Sequence, residues 1–268
     1  MTADSLYIVQ GLWIGGALST AEKLCIRSFQ HHGHEFHLYV YDDVDGIPSG
    51  TIIKDANTVV PAERIFRYKD NGSVAGFANL FRYALLFANG GAWADMDMVC
   101  LKPIPKQYAP IIPLQSYRRG PEHWRIGRLK DSIRAIVTPT LQLKLGLSTC
   151  NNCFLAGPVG WPLMKMCLDA AEQADPETLK WGDTGPTLLT RMIRKSGDYT
   201  GLAKPMDYCP VEFWNWSDFL SESSNLSPRL DTAFACHLWN EMWRRGGVDK
   251  NAKAPSTSIY SRLQAQYF

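Results

Sequence analysis

The chain has 268 residues, 46% hydrophobic and 20% charged, with a formal net charge of +2. That length supports one hydrophobic core with insertions, and that composition excludes a disordered chain. A charge so near neutral argues against nucleic acid as a partner. Residues 1–10, MTADSLYIVQ, lack the basic stretch and apolar run of a secretory signal, and no window approaches the roughly 18 uninterrupted apolar residues of a membrane span. The seven cysteines, at 25, 100, 150, 153, 167, 209 and 236, form an odd set spread through apolar segments. Such a set predicts reduced, buried thiols in a cytoplasmic protein. Cys150 and Cys153 make one C-x-x-C with no second pair and no nearby His, which is weak support for a zinc or redox site.

In chain order, Leu6 to Ile14 reads as a buried strand ending at the Gly15-Gly16 turn. Ser19 or Thr20 can cap a helix over 21–31 that Gly33 stops. Phe36 to Tyr41 predicts a second strand, and Thr51 to Ile53 a short third one. Strand, helix and strand with polar loops begin a parallel α/β sheet. Ser73 to Gly91 is the best helix, capped by Ser73 and closed by Gly90-Gly91, and apolar nearly all round. Asn79 and Arg82, three residues apart, form its one strongly polar stripe. A buried guanidinium needs an anion: a core carboxylate, a ligand phosphate, or the acidic pair that follows the helix. Ala92 to Leu101 reads as the next strand. The stretch 118–130 is basic and aromatic (Arg118, Arg119, His123, Trp124, Arg125, Arg128, Lys130) and reads as an inserted loop. Asn152 to Ala156 predicts a short strand, Trp161 to Ala174 and Pro186 to Lys195 predict helices, and the last fifty residues predict an irregular tail wrapping over the site.

The chemistry centres on Asp95-Met96-Asp97. On an extended strand alternate residues share a face, so both carboxylates converge. Paired carboxylates suit Mg²⁺ or Mn²⁺ held together with phosphate oxygens.

The segment from Phe77 to Asp97, FANLFRYALLFANGGAWADMD, resembles the D-x-D region of the retaining GT-A glycosyltransferases. That group takes in yeast mannosyltransferases, α-1,4-galactosyltransferases and the glucosylating domains of clostridial toxins. Arg82, Leu86, Gly90, Gly91, Asp95 and Asp97 match its pattern, while Asn79 replaces an Asp and Trp93 a Tyr. Leu12-Trp13-Ile14-Gly15-Gly16 is similar to the first strand of the group, which makes Trp13 the candidate stacking platform for the donor base; the alternative is a core Trp beside a glycine turn. Ala235-Cys-His-Leu-Trp-Asn240 is similar to the H-x-W-N element of the galactosyltransferase branch. That likeness implies His237 as third metal ligand, Asn240 as a lesser candidate and Trp239 at the donor site. Arg82, with Arg244, Arg245 or Lys250 in the basic tail, can neutralise a departing diphosphate, although such a tail also suits a solvated face. Asn151, Asn152 and Asp183 resemble substrate-side elements. The bland readings are a strand-end turn for the Asn pair and a cap for the helix starting at Pro186 for Asp183.

Two rivals remain. Asp95-Met-Asp-Met-Val also fits the D-x-D-x-(T/V) start of Mg²⁺-dependent haloacid-dehalogenase-type phosphatases, which use the first Asp as nucleophile. A non-catalytic carbohydrate-binding protein can use the nine Trp and eleven Tyr to stack on sugars, but needs no convergent Arg and Asp pair. The resemblance implies a single GT-A catalytic domain over 1–268, with a mixed, mostly parallel sheet flanked by helices. Within it, 106–150 is an acceptor-side insertion and 231–268 closes over the site. The implied reaction moves a hexose, with retention, from a UDP-sugar to a glycan or lipid-linked acceptor in a metal-dependent manner. The basic stretch either rests on an anionic membrane or phosphorylated acceptor, or is an ordinary surface loop.

Overall fold

The computed structural model describes residues 5–116 and 136–268; the basic stretch 118–130 lies outside them. Strand β1 (Val9–Trp13) pairs in parallel with β2 (Phe36–Val40), which pairs with β3 (Ile52–Asp55). On its other edge β1 pairs in parallel with β4 (Gly91–Ala94), and β4 pairs antiparallel with β8 (Phe154–Gly157). The order β3-β2-β1-β4-β8 is the mixed, mostly parallel sheet expected.

Helix α1 (Thr20–His31) joins β1 to β2. Its N-cap is Ser19, and Glu22 three residues on completes a capping box, so both first-turn donors are satisfied. Helix α2 (Ala75–Asn89) buries Phe77, Leu80, Phe81, Tyr83, Leu85 and Leu86, together with Asn79 and Arg82. Ser73 lies one residue further out than expected. Val74 is the N-cap, and the Ser73 hydroxyl accepts from the Ala75 N–H at 3.2 Å. At the other end Gly90 has φ +61°, and a Cβ there would sit 2.6 Å from Val159 N, so only glycine lets the helix turn directly into β4. The α2 face of the sheet carries the helices Pro162–Glu172 and Pro186–Ser196, and α1 packs on the opposite face.

Two expectations need correction. Ala92–Leu101 is not one strand. It breaks into β4 and β5 (Met98–Cys100), with Asp95 to Asp97 in the turn between them, closed by Met98 N–H donating to Asp95 O at 2.9 Å. The tail is not irregular either. β10 (Ala235–His237) pairs antiparallel with β5, and short helices cover Ser227–Leu230, Asn240–Arg245 and Ile259–Tyr267. This C-terminal layer packs against Ala21 and Leu24 of α1 through Leu238, Trp243, Tyr260 and Leu263. A second small sheet joins β6 (Ile112–Ser116) to β7 (Ser148–Cys150), antiparallel, and to β9 (Leu202–Ala203), parallel. Among the described residues no helix is long and apolar enough to cross a membrane.

Candidate active site

In an open α/β sheet, ligands gather outside the carboxyl ends of strands where the strand order reverses. Here the chain moves outward from β1 to β2 and β3, then returns to place β4 on the other side of β1. Trp13 ends β1 and Asp95 follows β4 directly, so both stand at that switch point. The Trp13 ring is half-buried, its indole N–H donates to Gly16 O at 2.9 Å, and the Lys250 ammonium lies 5.7 Å from its centroid.

The two carboxylates converge through a turn rather than along a strand face. One oxygen each of Asp95 and Asp97 and a ring nitrogen of His237 lie within 4.8 Å of one another. Asp95 is fixed from behind. Its N–H donates to Cys153 O at 2.7 Å, while Arg82 Nη2 and Trp93 Nε1 both reach its Oδ1 at 2.8 Å. Burial raises the Asp95 pKa; Arg82 pulls against that and Asp97 adds to it, leaving a net upward shift. Burial also opposes the charge on Asp97, but His237, the Asn240 N–H and Lys250 outweigh it, and the pKa falls. Asp97 Oδ2 accepts the Asn240 N–H at 2.7 Å and lies 3.1 Å from His237 Nε2. Burial likewise opposes a charged His237, yet the Asp97 carboxylate lifts its pKa well above the usual imidazole range. Two hard oxygen donors and one imidazole, buried and already at chelating distance, fit a divalent cation such as Mn²⁺ or Mg²⁺.

Arg82 is only 4% exposed. Of the partners considered for it, the structure supplies the acidic pair: the guanidinium lies on Asp95, donates to Asn152 O and stacks 4.9 Å from the Trp93 centroid. It therefore positions Asp95 rather than facing a ligand. Asn152 Nδ2 donates to Asn79 Oδ1 at 2.8 Å, and Asn79 Nδ2 donates to Thr184 Oγ1 at 3.2 Å, a buried amide chain beside Gly185. Asn151 holds Gln115 and the Cys153 N–H. Asp183 is exposed and accepts from Lys180 N–H at 3.0 Å, closing a turn; the N-cap of the Pro186 helix is Gly185.

In the C-terminal element, Asn240 gives its side-chain N–H to Glu22 at 3.4 Å, and its buried Oδ1 has no hydrogen-bond partner. Trp239 is buried, with φ +62°, the one non-glycine residue of positive φ among the described residues. Its indole donates to Val211 O at 2.8 Å and its ring lies 4.0 Å from that of His237. It holds the imidazole in place, and strain of this kind gathers at functional sites. Arg244 is exposed and paired in a fork with Glu241 at 2.8 and 2.9 Å. Arg245 lies 5.0 Å from the centroid of Trp181. Lys250 is on the fully buried Glu22. Glu22 was missed as a site residue, although the S-x-x-E capping-box spacing from Ser19 marked it. Cys153 reads in the sequence with Cys150, but its sulfur lies 3.6 Å from that of Cys209 beside His237, a grouping that nothing in the sequence links.

Among the described residues four strands, β1 to β4, precede the Asp pair, whereas the phosphatase reading needs it after the first. A family model described as the glycosyltransferase sugar-binding region containing the DXD motif matches residues 23–117. A second, the alpha 1,4-glycosyltransferase conserved region, matches residues 158–267. Lactosylceramide 4-alpha-galactosyltransferase of Mus musculus is 26% identical over 194 residues, covering 68% of this chain and 45% of that protein. Human alpha-1,4-N-acetylglucosaminyltransferase is 21% identical over 178 residues, covering 62% of this chain and 42% of that protein. The chain thus spans about half the length of the curated relatives it matches. A solved structure, "PaToxG Glycosyltransferase", superposes with a TM-score of 0.44 at 12% identity, over 98% of this chain and 86% of that one. The two family matches follow one another along the sequence, with 118–157 between them, and take in both halves of the site, Asp95 and Asp97 in the first and His237 in the second. This chain therefore carries two regions characteristic of glycosyltransferases, the DXD sugar-binding region at 23–117 and the alpha 1,4-glycosyltransferase conserved region at 158–267.

Proposed function

We propose that this protein transfers a hexose from a UDP-sugar to a glycan or glycolipid acceptor, with retention at the anomeric carbon and with Mn²⁺ or Mg²⁺ as cofactor. The observation that carries this is the meeting of Asp95, Asp97 and His237, from two distant segments, at the switch point between β1 and β4. The relatives' names support the class of reaction, a galactosyl group in one and an N-acetylglucosaminyl group in another. They differ in the sugar moved, which leaves donor choice to pocket shape.

Asp95, Asp97 and His237 would hold the cation, which when bound supplies Lewis-acid stabilisation of the diphosphate leaving group. The other groups work by position. Arg82 and Trp93 fix one Asp95 oxygen, so the carboxylate needs no reorganisation when the donor arrives. Trp13 offers a flat apolar face for the uracil, at the strand end nearest the Asp turn. Lys250, beside Trp13 and Glu22, places a positive charge where the diphosphate would cross. The Asn152–Asn79–Thr184 chain orients amides toward the sugar face, with Asn79 standing where the resemblance expects an Asp. The acceptor-side role of 106–150 and the contact of 118–130 with an anionic membrane or acceptor belong to this proposal.

A donor screen tests it. UDP-glucose, UDP-galactose, UDP-N-acetylglucosamine and GDP-mannose are incubated with Mn²⁺, and nucleotide release is measured. One UDP-sugar is expected to be hydrolysed, and Asp97→Asn to abolish its turnover. No release from any donor, or release unchanged in Asp95→Asn and Asp97→Asn, overturns the proposal.

A further inference from the structure

Beside the carboxylate pair lies a second group of metal-ligating side chains, chemically unlike the first. Cys153 precedes β8, Cys209 follows the helix Pro205–Tyr208, and His237 ends β10. Three segments far apart in the chain thus deliver two sulfurs and an imidazole to one point, with one donor atom from each within 4.8 Å of the others. Both cysteines are buried, at 0% and 4% exposure. Their sulfurs are 3.6 Å apart. Two Zn–S bonds of about 2.3 Å at a tetrahedral angle separate the sulfurs by about 3.8 Å, so the thiols already stand at ligand spacing.

The imidazole supplies an independent sign. Nε2 of His237 lies 3.1 Å from Asp97 Oδ2, whereas the buried Nδ1 has no partner in good hydrogen-bond geometry, and the Cys153 thiol is close enough to interact with the ring. A buried polar atom without a partner is costly, and a ligand relieves that cost. Two thiolates with one imidazole make a soft donor set suited to Zn²⁺, and their two negative charges balance the ion inside an apolar surround. The carboxylate set of Asp95, Asp97 and His237 prefers harder ions. His237 is common to both sets.

We propose that Cys153, Cys209 and His237 form a second metal site, specific for Zn²⁺, which competes with the carboxylate site for His237. Two thiol protons and one proton of the His237 imidazolium leave to solvent as the ion enters, the ring keeping its other proton toward Asp97, and a fourth coordination position stays open. Cys153 also accepts the Asp95 N–H through its carbonyl, so an ion on its sulfur bears on the Asp turn as well. Zinc here is an inhibitor of the hard-metal enzyme. The binding step does not depend on sugar transfer and is tested without it.

The test uses the full chain, freed of metal and kept reduced with a phosphine. One equivalent of Zn²⁺ is added and the zinc-edge X-ray absorption recorded on the unaltered protein; two sulfurs at about 2.3 Å are expected. A shell of oxygen and nitrogen alone overturns the site. With Co²⁺ as the probe, a sulfur-to-metal charge-transfer band should appear, persist in Asp95→Asn and Cys236→Ser, and vanish in Cys153→Ser and Cys209→Ser. A band that survives in both of the latter variants refutes the assignment. Free Mn²⁺ is then followed by electron paramagnetic resonance. One equivalent of Zn²⁺ should weaken Mn²⁺ binding at least tenfold in the unaltered protein and not in Cys209→Ser. Zinc bound to sulfur with Mn²⁺ affinity unchanged would refute the competition.

Discussion

Replacing Arg82 by Met keeps the apolar length of the side chain and removes its charge, isolating what the guanidinium does for Asp95. The pair sits at 2.8 Å, with the Arg82 side chain 5% exposed and that of Asp95 26% exposed. Breaking a buried pair by removing one partner costs about 3–5 kcal/mol, because the remaining charge is left without compensation. Asp95 keeps some access to water, so we expect the lower end, about 3 kcal/mol. With a urea slope of about 3 kcal/mol/M for a chain of this size, the unfolding midpoint should fall by about 1 M. The loss belongs to the interaction and not to the residue alone. Asp95→Asn in the same background removes the stranded charge, so the double variant should recover about 1–2 kcal/mol over the additive sum. The pH dependence has a definite sign. Without Arg82, burial and Asp97 both push the Asp95 pKa further up. A carboxyl whose folded pKa is raised destabilises the fold above its unfolded pKa, and the penalty fades as the pH falls through the raised value. The deficit of Arg82→Met should therefore be greatest near neutrality and shrink in mild acid. A variant within about 0.5 kcal/mol of the parent at neutral pH, or a double variant showing strict additivity, would refute the reasoning.

Adding Mn²⁺ at a hundred times its dissociation constant should raise the unfolding free energy by about 2.7 kcal/mol. In Asp97→Asn and His237→Ala most of that gain should vanish from the thermal melt, and full retention in either would remove that residue from the metal shell. Trp13→Ala should weaken UDP binding in calorimetry by about 1–3 kcal/mol, as expected for loss of one stacked base, with Trp13→Phe recovering part. Equal affinity in all three forms would take Trp13 out of the base site. Gly90→Ala forces a Cβ to 2.6 Å from Val159 N at a φ of +61°, and should cost more than about 2 kcal/mol in urea unfolding. Gly16→Ala, with nothing within 4 Å of the added carbon, should be neutral within about 0.5 kcal/mol.

Where local chemistry decides structure, the sequence was readable. Ser19 or Thr20 announces the start of α1, and the apolar run from Phe77 with Gly90-Gly91 announces α2 and its end, because caps and periodicity are written in adjacent residues. The Asp turn was not readable as a turn. Ala92–Leu101 is continuously apolar apart from the two Asp, and what breaks it comes from elsewhere: Asp95 N–H is taken by Cys153 O, and β5 leaves the central sheet to pair with β10. The partners of Arg82 were readable only as a set of anions, since burial requires a counter-charge without saying which one. Trp239 reads as donor-facing by likeness of motif and Arg244 by its place in the basic tail, whereas the structure gives the first to His237 and Val211 and the second to Glu241.

His237 shows why the tail could not be resolved from its own residues. β10 has three residues, too few to display a period of two. What it does depends on register. Cys236 pairs with Val99 and His237 with Met98, the residue after Asp97. A slip of one position would turn His237 to the opposite face and bring Cys236 or Leu238 to the Asp turn instead. Leu238 N–H on Asp97 O at 2.9 Å and Asn240 N–H on Asp97 Oδ2 at 2.7 Å hold the register from beyond the strand. The Trp239 indole on Val211 O, at 2.8 Å, ties the same turn to a third segment. Asp97 is thus both a candidate metal ligand and the anchor of the strand that brings in another one. An Asp97→Asn protein should lose metal affinity by two routes at once, through its own carboxylate and through a loosened His237. Its deficit should therefore exceed that of His237→Ala, in which the anchor remains.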